Sequence, residues 1–420
     1  MKAYRGDIVF APGPGELATL QNGAVLVNEN GTVQQALPAL PEGFEGEVVE
    51  YGGRLLLPGF VDVHAHSSQL PICGHGYDES PTSWLERYTY PVERKYANPA
   101  YAAALNRRLV HELWENGTTR AVLMSTTSAT STQNLMEQLE QSGLSAYVGK
   151  MNSDFAGFGG EANETTEASV RETEELVSWA LHRGEKVKYA LCPEFIPCCS
   201  EEAMARLGAL AQQYGLPVHS HMAEGPEDVA VVRRRFPKEA LYAKVYNRFG
   251  LLGQTPTIMA HCLYATEEEM ELLQSQNVMV AHCANAILNI PSGRYLPVRK
   301  YLARGMRIGL GSDIGGGHTL YMPRNMVAAI QVSKLYLEYA ALTVPDVFYL
   351  ATKGGGSFFG KVGSFEAGYQ FDALVVDDTA LNEGTGYTLA ERLARFIYCG
   401  ERQNIQHRYC GGTEVHPPRP

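Results

Sequence analysis

The chain has 420 residues, of which 45% are hydrophobic and 19% charged, with a formal net charge of −11. That length accommodates one large domain and a smaller companion, and the acidic balance argues against nucleic acid or an anionic membrane as main partner, since both recruit basic surfaces. No apolar stretch approaches the ~20 residues of a membrane span, and the start MKAYRGDIVF lacks the long apolar core and cleavage site of a secretory leader.

From the amino terminus, residues 5 to 56 hold short strand-like runs, GAVLVN, GTVQQA and GEVVEY, broken by N-G and G-G pairs. They predict short antiparallel strands with tight turns. At Pro58 the style changes. Apolar strand candidates at 60–66, 119–125, 146–151, 187–192, 217–221, 257–261, 278–282 and 307–311 alternate with amphipathic stretches such as 133–142, 168–183, 201–214, 267–276 and 296–304. The latter carry apolar residues at helical spacing. This alternation predicts βα units around a parallel sheet, and eight of them fit a (β/α)8 TIM-type barrel. The alternative, a doubly wound open sheet, often carries a Gly-rich phosphate loop after its first strand, and none is present. The tail returns to short strands in FDALVV and HRYCGGTEV. The expected division is a small β domain from residues 1–57 plus 364–420 and a barrel over 58–363. The cysteines Cys73, Cys192, Cys198, Cys199, Cys262, Cys283, Cys399 and Cys410 form no CxxC pair, and several lie in apolar runs. Buried reduced thiols in a cytoplasmic protein are expected.

The ends of these strands carry chemistry. The first, PGFVDVHAH, ends in His64 and His66. Residues i and i+2 of a strand share a face, so the two imidazoles project side by side, an arrangement that gains little from packing and suits one metal ion. The fifth, PVHSHMAE, ends in His221 and runs on to Glu224. The sixth ends in His261, the seventh in His282, and the eighth, RIGLGSD, in Asp313. In a (β/α)8 barrel such ends converge at the active face. Three histidines and an aspartate suit zinc or iron(II). Asp313 suits both metal ligation and acceptance of the water's proton. Glu224 suits a proton shuttle, and His261 suits orienting the nucleophilic water. His219 shares the face of His221 but is expected one layer deeper, as core, and His282 is expected to support the site. His75, His111, His182, His318, His407 and His416 carry no signal.

With PGFVDVHAH, HMAE, AHC and GSD in hand, the chain resembles the metal-dependent amidohydrolase superfamily. Within it the likeness is strongest to the guanine deaminases, through SWLERYTYP, NGTTRA, AYVGKM, CPEF, AHCAN, GLGSDIGGG, ATKGG and FEAGYQFDAL. The resemblance implies a barrel with a small β-sandwich built from both termini, a homodimer, and one zinc held by His64, His66, His221 and Asp313. It implies Glu224 as proton shuttle and His261 beside the water. It places Gln69 on the purine edge, with Trp84 and Phe195 among the substrate contacts. The implied reaction is guanine plus water to xanthine plus ammonia.

One departure matters physically. Where that family has an arginine, this chain has Glu194; Asn285 is kept in the stretch after the seventh strand, but Ile287 replaces a polar residue. Arginine offers only donors and suits a carbonyl oxygen, whereas a carboxylate offers only acceptors and suits ring N–H or amino groups. Glu194 therefore opens a second substrate class, another aminopurine or a pterin, unless it pairs with a cation such as Lys188. A cyclic-amide hydrolase would need two metals and a lysine at the end of the fourth strand, where the chain reads CPEF and Lys188 sits at the start. A non-catalytic scaffold would have lost ligands that are all present.

Overall fold

The computed structural model describes residues 1–157, 162–239, 241–291, 293–335, 341–384 and 386–418. Eight short parallel strands form its centre in two sets of four. Phe60–His66, Thr118–Met124, Ser145–Gly149 and Val187–Tyr189 pair in that order, as do Val218–Met222, Thr257–His261, Met279–His282 and Ile308–Leu310. These strands are buried almost end to end, which explains why they read as continuous apolar runs rather than alternating ones. The sets meet along both seams. On one side Leu191 bridges Val218 in parallel, and the His219 amide donates to the Leu191 carbonyl at 2.9 Å. On the other the Asp313 amide donates to the His64 carbonyl at 2.8 Å, and the Ser312 amide to Asp62 Oδ1 at 2.9 Å. The arrangement is TIM-barrel-like.

Helices pack between strands where the amphipathic stretches lie, and their caps explain their limits. Ser128 accepts from the Ser131 amide to start Ala129–Ser142, and Gly143, at φ 81°, ends it. The helix thus begins before the predicted residue 133, because the polar TSATST run supplies a cap and a first turn rather than a loop. Ser200 and Gly215 bracket Glu201–Tyr214 in the same way, and a Thr266/Glu269 capping box opens Glu267–Ser275.

The predicted third and fourth strands extend differently from expectation. Both leave the main sheet early, and their continuations, Met151–Asn152 and Cys192–Pro193, pair with each other as a separate two-stranded parallel ribbon. Pro193 has no N–H to extend a ladder. The Glu194 amide then donates to the Asn152 carbonyl at 3.0 Å, which hangs Glu194 and Phe195 over the strand ends.

Both termini build one seven-stranded sheet that contains Lys2–Phe10, Ala18–Val27, Val33–Leu37, Glu47–Pro58, Ala373–Val376, Ile405–Cys410 and Thr413–Glu414. It is not wholly antiparallel as expected: Lys2–Phe10 runs parallel to Glu47–Pro58. The antiparallel hairpin 18–37 occupies one edge of the first strand, so the chain crosses to the other edge and arrives in the same direction. Tyr4 stacks on Phe371 at 4.4 Å in this sheet's own core. Arg120 of the second parallel strand grips buried Asp372 with two bonds of 2.6 and 3.0 Å, tying the tail to the parallel strands. All eight cysteines are free. Among the described residues no helix is long and apolar enough to cross a membrane.

Candidate metal and substrate site

The ends of the parallel strands bring the predicted donors together. His64 Nδ1 lies 2.7 Å from His219 Nε2, which turns His64 Nε2 inward, where it has no hydrogen-bond partner among the described residues. His221 Nδ1 lies 2.6 Å from the Glu194 carbonyl, and its Nε2 is 3.1 Å from His66 Nε2. Asp313 follows the eighth strand with its backbone in the left-handed region, at φ 48°. Its Oδ1 sits 3.2 Å from His64 Nε2 and 3.5 Å from His66 Nε2. Holding an aspartate at that φ costs energy, and such residues gather at functional sites.

The chemistry of the donors fits a zinc-type ion. His64, His66 and His221 offer atoms within 4.8 Å of one another. Burial pushes the imidazoles of His64 and His66 well below their ordinary value and that of His221 down to about 4. They are therefore neutral, the form that donates a lone pair. An inward, unpartnered Nε2 on a fully buried ring is costly without a cation to receive it. Cys283 also lies near His64 and Asp313, but burial pushes its thiol well up, leaving it protonated.

Glu224 and His261 stand on the open side. His261, also left-handed at φ 71°, places Nε2 3.6 Å from Glu224 Oε1 and 3.9 Å from Asp313 Oδ2. Burial of its carboxyl, then the Asp313 charge, pushes Glu224 up to about 8, although 42% of its side chain still faces the cavity. Every predicted site residue except His64 lines one cavity: His66, Gln69, Trp84, Glu194, Phe195, His221, Glu224, His261 and Asp313. His64 lies behind them, fully buried. Trp84 is fixed by its indole N–H, which donates to the His75 carbonyl at 2.9 Å. Phe195 stands edge-on to His221 at 6.3 Å.

Glu194 is buried, and its Oε2 has no hydrogen-bond partner among the described residues. Burial pushes its carboxyl up to about 7, against the hydrogen bonds of Ser153 and Cys198. No cation pairs with it among the described residues, so the expected alternative of an ion pair with Lys188 is set aside. Lys188 points outward from the fourth strand.

Two residues acquire contacts that the sequence did not disclose. His219 is buried as expected, yet it bonds the ligand candidate His64 directly rather than lying apart from it. The shared face of 219 and 221 was the signal. Glu93, which nothing singled out, is buried beneath the cavity and accepts from Gln69 Nε2 at 3.1 Å and from Ser68 Oγ at 3.2 Å. Conversely, His282 stands edge-on to Tyr295, with both ring nitrogens unpartnered among the described residues. Asn285 turns away to donate to Asn325 at 2.8 Å.

Comparison with known proteins follows the same lines. The profile of the amidohydrolase family matches residues 55–415. The guanine deaminase of Dictyostelium discoideum is 30% identical over 99% of this chain and 98% of its own length. The human guanine deaminase is 34% identical over 86% of this chain and 83% of its own. Among solved structures, guanine deaminase from C. acetobutylicum with guanine bound in the active site superposes with a TM-score of 0.94 at 39% identity, covering 99% of this chain and 100% of that one. A parallel-strand frame carrying three neutral histidines and an aspartate at its strand ends, inside relatives of this extent, leads to one assignment: the chain belongs to the amidohydrolase family and, within it, to the guanine deaminases.

Proposed function

We propose that the protein hydrolyses guanine to xanthine and ammonia, and that His64, His66, His221 and Asp313 hold one zinc ion. The observation that carries this is the juxtaposition of that donor set with Glu224 and His261 at the floor of a cavity walled by Trp84 and Phe195. A divalent ion bound there lowers the pKa of water toward about 7 and so supplies a nucleophile at neutral pH. The side chains do the rest. Asp313 takes the proton of the attacking water. Glu224, facing both His261 and the open cavity, gives its proton to the ring nitrogen and regains one from the added hydroxyl as the new carbonyl forms, while the proton held by Asp313 passes to the departing amine, so that ammonia leaves as a neutral molecule. His261 hydrogen-bonds the oxygen that adds to the ring. Trp84 and Phe195 hold the flat heterocycle, Gln69 grips one edge, and the 6-position faces Glu194. We read the eight parallel strands as one (β/α)8 unit over 58–363, with a small sandwich-like domain from 1–57 and 364–420, in a cytoplasmic homodimer.

The unpartnered Oε2 of Glu194 supports a second reading, in which the preferred ring presents an amino group there, as in another aminopurine or a pterin. Ammonia release from zinc-loaded protein offered guanine, isoguanine, adenine derivatives and pterins tests both. Turnover of guanine above the others upholds the first reading. Turnover of an amino analogue above guanine selects the second, and release from none refutes a deaminase.

A further inference from the structure

Gln69 has an amide whose two ends differ chemically, one donor and one acceptor, so its orientation decides what it recognises. That orientation is fixed from behind. The segment 81–95 begins as a helix, opens into a π-helical turn over Leu85–Thr89 and continues as Tyr90–Lys95. The wider turn lets Trp84, Thr89, Tyr90 and Glu93 all be buried, a five-residue step that an unbroken α-helix would not align. Glu93 thereby reaches under the cavity. Its Oε1 accepts from Gln69 Nε2 at 3.1 Å and from Ser68 Oγ at 3.2 Å, and all three residues are buried. Oε1 has two lone pairs in the carboxylate, and equally as the carbonyl oxygen of the acid with the proton on Oε2, so it serves both bonds in either form.

The other end of the amide rests against Gly315. A Cβ at that position, where φ is 118°, would stand 2.3 Å from Gln69 Oε1. Gly315 is itself pinned by the Tyr77 hydroxyl, which donates to its carbonyl at 2.8 Å. With Nε2 committed to Glu93, Oε1 accepts no hydrogen bond among the described residues, and Gln69 lines the cavity.

We propose that Glu93 is a positioning residue: it commits the Gln69 amino group, so that Gln69 presents only an acceptor and selects a ring edge bearing N–H. The inference rests on the reading of Gln69 as a substrate contact, and Glu93 touches no reacting atom. The test is a double-mutant cycle on ammonia release from guanine by zinc-loaded protein, using Glu93→Leu, Gln69→Leu and the pair. Each single change is expected to raise KM by about 10- to 100-fold with kcat within about threefold, the signature of lost binding. The double variant is expected to be no worse than Gln69→Leu alone, because the two act as one unit. Glu93→Gln, whose amide oxygen still accepts, is expected to recover most of the KM. Multiplying effects, or a fall in kcat at unchanged KM, would overturn the proposal. An unchanged KM in Gln69→Leu removes the substrate contact and the proposal with it. If wild-type protein releases no ammonia from guanine, the functional reading has failed separately. A crystal structure of Glu93→Leu then decides: a Gln69 side chain rotated off Gly315 upholds the clamp, and one that stays in place refutes it.

Discussion

Glu194 gives the sharpest test of substrate choice. Its carboxyl is buried and pushed up to about 7, so both forms are populated near neutrality. As the acid it donates to a ring carbonyl, and as the carboxylate it accepts from an amino group. Exchanging a matched for a mismatched buried hydrogen bond changes binding by about 1–3 kcal/mol, or roughly 5- to 150-fold. The ratio of kcat/KM for guanine to that for 2,6-diaminopurine is therefore expected to fall by that order as pH rises through about 7. Measuring a ratio on one zinc-loaded protein cancels titrations that both substrates share, including those around Glu224 and the histidines. Glu194→Gln, which cannot titrate, is expected to flatten the profile. Glu194→Arg, a permanent donor, is expected to raise guanine turnover by a similar factor. The assay is ammonia release between pH 6 and 8.5. A flat wild-type ratio, a slope that survives in Glu194→Gln, or an Arg variant equal to wild type on guanine would each refute the reasoning.

Legibility followed the physics of each residue. The parallel strands were readable because strands buried on both faces write continuous apolar runs, and the donor set because a strand's period of two aligns His64 with His66. Convergence of His221 and Asp313 on that pair came from the rule that barrel sites sit at strand ends. What escaped depends on contacts between distant segments. The parallel pairing of Lys2–Phe10 with Glu47–Pro58 is set by which sheet edge is free, not by local pattern. The His219–His64 bond needs the first and fifth strands to face each other across the frame. Glu93 was invisible because a carboxylate in a polar helical stretch reads as solvated; only the π-helical turn before it directs it inward.

Three further outcomes follow from the same contacts. His219→Phe removes the partner that turns His64 Nε2 inward and is expected to weaken zinc affinity by about 10- to 100-fold in a chelator competition; unchanged affinity would show that the 2.7 Å contact does not orient the ligand. Arg120→Met leaves buried Asp372 without its cation and is expected to lower stability by about 3–5 kcal/mol in chemical denaturation, with zinc content unchanged in the folded protein. The last concerns pH. Burial, then the charge of Glu194, pushes Glu93 up to about 8, so between the ordinary carboxyl range and that value the folded chain holds a proton that the unfolded chain has released. Stability then falls as pH rises, by about 1 kcal/mol per pH unit from this group, because the slope follows protons bound in the unfolded state minus those in the native one. The contribution is complete at acid pH and is lost as pH climbs through about 8. Urea denaturation between pH 5 and 8.5 should show that decline in wild type and a shallower one in Glu93→Gln; parallel slopes in the two proteins would mean that Glu93 ionises as freely folded as unfolded.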